Sequence, residues 1–251
     1  MSRESRKRAA ERIRAQQARR SRRRRWLAVI AALVAAGAVA AAVTLAGGAD
    51  RAPASPPGQR LASLATLGTL QPAPAPGPDG PEGVPVPVAG LLASTATIAR
   101  GQPVDGISCE TSEQTIFHIH AHLTVFVNGL PRQVPAGIGI PGAVAMSTPA
   151  GPLISSGKCF YWLHTHASDG IIHIESPVSR RYSLGEFFAE WGQPLGPDQV
   201  GPAKGHVTAI ENGQVYRGNP RDIPLTAHAQ IQLEVGGPLI APVSISWPSG
   251  L

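Results

Sequence analysis

The sequence predicts an all-β domain, a β-sandwich or small barrel with one short helix over about 183–191. Three observations carry that prediction. Apolar and polar residues alternate in "HLTVFVNG" and again in "AQIQLEVGG", the period of a half-buried strand. Asn-Gly pairs at 128–129 and 212–213 interrupt such runs, and Asn-Gly between alternating segments is the strongest short-range hairpin cue. Between them, "SLGEFFAEWG" reads as a capped helix. Ser183 and Glu186 have the spacing of a capping box, Gly192 suits the C-terminal stop, and Phe187, Phe188 and Trp191 form one apolar face. A last short strand is expected at "VSISW", closed by Pro248.

The N-terminal part has a different character. Residues 1–25 hold twelve Arg or Lys against Glu4 and Glu11, a net of +10 within a chain of net charge +6. The remainder is therefore at −4, so the high isoelectric point belongs to an arm and nucleic acid is not expected as a partner. From Trp26 to Gly48 no charged residue occurs. About 20 apolar residues span a bilayer, and flanking arginines keep their side in the cytoplasm. Residues 26–48 are expected to be a single transmembrane anchor, with everything after them extracytoplasmic. The apolar run exceeds the roughly 7–15 residues of a cleaved signal peptide. Residues 49–99, dense in Pro, Ala and Gly, are expected to form an extended stalk, and 100–251 the folded domain. The chain has two cysteines, Cys109 and Cys159. An even count in an oxidising compartment reads as one disulfide.

Six of the eight histidines lie in two stretches, "FHIHAHLTVFVNG" and "CFYWLHTHASDGIIHIES". Strand side chains alternate between faces. Phe117, Ile119, Ala121, Leu123, Val125 and Val127 then face the core, and His118, His120 and His122 share the opposite side. The second stretch is a hairpin turning at Asp169-Gly170. A four-residue loop sets His164 opposite His173; a tighter one sets His166 there instead. Either register keeps His164, His166, His173 and Glu175 on one face.

Imidazoles gathered in this way repel one another when protonated. A bound cation resolves the conflict, and imidazole is a common ligand of zinc and copper. The candidate metal ligands are His118, His120, His122, His164, His166, His173, Glu175 and His228, with His206 left out as an isolated surface residue. With no free sulfur ligand expected, Cu(II) or Zn(II) is the expected ion. Seven ligands in the two stretches exceed one four-coordinate site, leaving room for two sites or outer roles. No Ser-His-Asp spacing or phosphate loop appears. The expectation is a membrane-anchored protein that sequesters, buffers or delivers an ion, with the bilayer and an unidentified metal donor or acceptor as partners. A metalloenzyme (zinc-water hydrolase or hydratase, or copper oxidoreductase) and a stalked pH-sensing domain without metal are the alternatives.

"FHIHAHLTVFVNG", "VPAGIGI", "WLHTHASDGIIHIESP" and "YSLGEFFAEWGQPL" resemble a group of prokaryotic secreted or membrane-anchored histidine-rich proteins. The resemblance spans roughly 115–235 and implies a shared fold and site; it carries no catalytic role.

Overall fold

The structure, a computed structural model, describes residues 61–251. The Arg-rich arm, the apolar stretch 26–48 and residues 49–60 lie outside the described residues. No helix among the described residues is long and apolar enough to cross a membrane.

Eight strands make the main sheet: β1 (Leu61–Ala62), β2 (Phe117–Val127), β3 (Leu130–Arg132), β4 (Leu163–His164), β5 (Ile171–Ser176), β6 (Val207–Glu211), β7 (Gln214–Tyr216) and β8 (Ala229–Val235). Their order is β1-β7-β6-β8-β2-β5-β4, with β3 also paired to β2. Both Asn-Gly pairs do what their chemistry allows. Asn128 and Gly129 have φ of 52° and 74°, and Asn212 and Gly213 have φ of 50° and 74°. These left-handed turns close the hairpins β2–β3 and β6–β7. The one α-helix among the described residues, α1 (Leu184–Trp191), has its capping box complete. The Ser183 hydroxyl accepts from Glu186 N–H, and Glu186 accepts from Ser183 N–H; Gly192 ends the helix at φ 69°. Replacing Ser183 by Ala should lower stability by about 1 kcal/mol, read as a lower urea midpoint at unchanged slope.

The all-β expectation holds in outline, with one large sheet and one short helix among the described residues. The large sheet has β1 and β4 at its edges, and the other pairings are a three-stranded and two two-stranded sheets. Strand β8 runs parallel to β2, whereas every other strand pairing within the main sheet is antiparallel. Hairpin cues specify neighbours that are adjacent in sequence. They are silent on how β8 joins β2 from about a hundred residues away. One face of the sheet packs Ala121, Leu123, Val125, Ile172, Ile174, Ile231 and Leu233 into a core shared with Phe187, Phe188 and Trp191 of α1.

Residues 61–99 correct the stalk expectation. Leu61 and Ala62 pair with Tyr216 and Val215. Leu92 and Ala99 join the core, and Val84 is wholly buried. Trp191 Nε1–H donates to Ser94 O at 3.0 Å. A proline-rich chain cannot enter a ladder, but it can lie along a folded surface with its few N–H groups bonded singly, as Gln71 N–H is to Leu239 O and Leu92 N–H to Gln133 O.

The polar side of β8 is covered too. Gln230, Gln232 and Glu234, the polar positions of this alternating strand, receive the C-terminal segment. Glu234 accepts from Ile240 N–H, Gln232 from Val243 N–H and Gln230 from Ile245 N–H, each at 2.8 Å. This side-chain ladder takes the place of backbone pairing, which is why "VSISW" is not a strand.

The Cys109–Cys159 disulfide is formed, with Cα atoms 5.4 Å apart and a sequence separation of 50. It joins the two-stranded pair Cys109–Glu110 and Phe160–Tyr161 just ahead of β4.

Candidate metal centre

The two histidine stretches come together because β5 lies between β2 and β4. His120 is the register partner of His173, and His173 is the partner of His164, so three imidazoles form a row across three strands. The wider hairpin loop is therefore the one adopted. One row along, His118 faces Glu175. His166 lies just past β4 and is held by the neighbouring strand Gly151–Ser156. Its Nδ1–H donates to Ile154 O at 2.7 Å, and Ile154 N–H donates back to His166 O at 2.8 Å.

The rings are close. His118–His120, His120–His173, His166–His173 and His164–His166 have centroids 4.6–4.9 Å apart, all edge-on, and His164 stacks on His173 at 5.4 Å. Their hydrogen bonds set the tautomers. A carbonyl oxygen only accepts, so Nδ1 of His164, 2.8 Å from Tyr161 O, carries the proton, and so does Nδ1 of His166. A neutral ring with its proton on Nδ1 presents a bare Nε2 lone pair. That of His164 is buried and has no hydrogen-bond partner among the described residues. His118 Nε2 lies 3.1 Å from His120 Nε2 and 3.2 Å from Glu175 Oε1.

Two carboxylates clamp His173. Its Nε2–H donates to Glu82 Oε1 at 2.7 Å, and its Nδ1 faces Glu175 Oε1 at 3.4 Å, within ion-pair reach but not aligned as a hydrogen bond. Burial pushes the His173 pKa down, but the close negative charges of Glu175 and Glu82 outweigh it and raise the pKa to about 9. Burial opposes ionisation of Glu175 as well; the imidazoles around it win and hold it at about 2. At His120 and His164 the carboxylates act too, but more weakly than burial. Burial, then the charge of His173, takes them to about 4 and about 3, so both are neutral across the physiological range.

Two sets of side chains have ligand atoms all within 4.8 Å of one another: His118, His120, His173 and Glu175, and His164, His166, His173 and Glu175. Six of the eight candidate ligands are thus brought together.

His122 and His228 are not among them, which corrects the expected set. The partner of His122 across the sheet is Ile171, not another ligand. Its Nε2–H is taken by Asp169 O at 2.9 Å, so the ring braces the hairpin turn and borders a separate cavity of about 170 Å³ shared with Pro85, Pro87, Val134 and Ile245. Burial lowers its pKa to about 4. His228 adopts φ 60° at the head of β8, stacks on Trp247 at 4.6 Å and reaches Leu251 O. Only its backbone touches the centre, through His228 N–H to His120 O. His206 is exposed, as expected.

Glu82 and Glu113 were missed. Glu113 Oε1 lies 3.4 Å from His166 Nε2 at the solvent side. Glu82 sits on a tight bend, where Asp79 and Pro85 pair and Gly83 takes φ 75°. The turn was legible in "PDGPEG". Its meeting with His173, 91 residues on, was not.

No family model matches the chain, and no curated protein or solved structure is detectably similar to it.

Proposed function

We propose that the protein binds Cu(II) or Zn(II) at this cluster and, held at the outer side of a membrane by residues 26–48, sequesters the ion or hands it on. One observation carries the reading. The buried His164 Nε2 has no hydrogen-bond partner among the described residues, its ring is fixed by Tyr161 O, and His164 is grouped with His166, His173 and Glu175. A buried polar atom left unpaired costs free energy, and a lone pair oriented by a bond to its own ring's other nitrogen is the usual preparation of a metal-ligating histidine. The Glu82–His173 pair supports the same reading, as a carboxylate–histidine arrangement that leaves one ring nitrogen for the ion. The ligand set is nitrogen and oxygen only, which suits Cu(II) and Zn(II). The likeness to histidine-rich secreted and membrane-anchored proteins agrees with an extracytoplasmic place.

Titration calorimetry of the full-length protein in detergent should show binding tighter than about 10 μM at pH 7.5 for Cu(II) or Zn(II). Absence of such binding to both would overturn the reading.

The pH dependence follows from the titrating groups. His120 and His164 are already neutral above about 4 and offer no competing proton. His173 keeps a second proton up to about 9, which the ion must displace from Nδ1. Affinity should therefore fall by at least about tenfold per pH unit from 8 to 5. The same proton should appear in the buffer: the binding enthalpy at pH 7.5 should change with the ionisation heat of the buffer. An enthalpy independent of buffer would show that His173 is not a ligand.

A further inference from the structure

We propose, on the footing of that metal-binding reading, that the centre holds two ions bridged by the carboxylate of Glu175. Six side chains contribute ligand atoms, more than one tetrahedral ion takes. They divide into two sets by distance, and only His173 and Glu175 are common to both. His173 can serve one ion at most, because Glu82 holds its Nε2–H and Nδ1 alone is left. Glu175 has no such restriction. Its Oε1 lies between His118 Nε2 at 3.2 Å and His173 Nδ1 at 3.4 Å, and its Oε2 is buried without a hydrogen-bond partner. A carboxylate whose Oε1 lies within reach of a nitrogen for each ion, and whose Oε2 is unbonded among the described residues, can bridge ions about 3.5–4 Å apart.

The first ion takes His164, His166, His173 and one oxygen of Glu175, a complete four-coordinate set. The second takes His118, His120 and the other oxygen. His118 Nε2 and His120 Nε2, 3.1 Å apart, are already at the separation of two donors on one ion. In the metal-free protein one ring can donate to the other across that gap, and a cation between them would take the place of that shared proton. Three protein ligands leave this second ion one coordination position, beside the 39% exposed His118 side chain. The inner ion is the retained one, and the outer ion is the one that exchanges.

The test uses the full-length protein in detergent and two probes, Zn(II) and Cu(II), each added alone. Zn(II) titration followed by desalting and elemental analysis should give two equivalents per chain. With Cu(II), the paramagnetic resonance signal should grow through the first equivalent. It should then lose spin-counted intensity as the second equivalent couples to the first. His118→Ala with His120→Ala should retain one equivalent with an uncoupled signal, and His118→Ala alone, which alters an exposed side chain, should weaken only the second equivalent. Glu175→Gln should abolish the coupling. Saturation of the unaltered protein at one uncoupled equivalent would overturn the binuclear centre and leave the metal-binding reading standing. Failure to bind either probe would remove both.

Discussion

Replacing His164 and His166 together by Ala should reduce affinity for Cu(II) or Zn(II) by more than about 100-fold, beyond the roughly 10–100-fold that loss of an outer partner costs. Two of the four donors of the inner set vanish, and those remaining, His173 and Glu175, attract each other as an ion pair instead. His164 is wholly buried, so its truncation also leaves a cavity and costs stability. For that reason His166→Ala is the companion variant: its side chain is 14% exposed and its removal disturbs packing less. It should weaken binding measurably while the thermal midpoint of the metal-free protein stays near that of the parent. His206→Ala, on an exposed residue with no part in the cluster, should change neither. Retention of parental affinity by the double variant, in protein whose circular dichroism shows the native fold, would remove the inner site.

Loss of the disulfide should have the largest effect on stability. Cys109 and Cys159 close a loop of 50 residues. Constraining the unfolded chain over such a loop contributes up to about 4 kcal/mol in the chain-entropy description. Against a total of about 5–15 kcal/mol for a folded domain, this is a major share. The bridge ties Cys109–Glu110 to the strand that leads into β4, and so it steadies the backbone behind His164. Cys109→Ser with Cys159→Ser should lower the urea midpoint accordingly, and metal should restore part of the loss. A ligand at 100 times its dissociation constant contributes about 2.7 kcal/mol to the state that binds it. A midpoint unchanged by the double substitution would show that the bridge adds nothing beyond local geometry.

Everything decided by neighbours in sequence was legible. Ser183, Glu186 and Gly192 delimit α1 because capping is a matter of three or four residues. Asn128-Gly129 and Asn212-Gly213 make their hairpins because left-handed backbone is cheap there and nearly nowhere else. Strand parity put His118 and His120 on one face, and His164, His166, His173 and Glu175 on one face, from alternation alone. Parity could not say that the two faces were the same one. That required β5 to pair on one side with β2 and on the other with β4.

The misjudged residues share a physical cause. His122 obeys the same parity as its neighbours, but its row ends on Ile171, and the Asp169 carbonyl captures its ring. Residues 61–99 have the composition of an exposed linker because proline and glycine dominate it. Composition reports what a chain cannot do by itself, not what a folded surface can hold in place. That segment carries Glu82 to His173, and with it the charge that keeps His173 protonated. By itself the sequence determined the histidine strands, the Asn-Gly turns, the helix and the histidine and glutamate make-up of the cluster, since each follows from contacts within a few residues. The tertiary structure alone decided the register between the histidine strands, the cover over their polar face and the carboxylates that reach them from 50 to 90 residues away, because those contacts depend on which distant surfaces the packed core brings together.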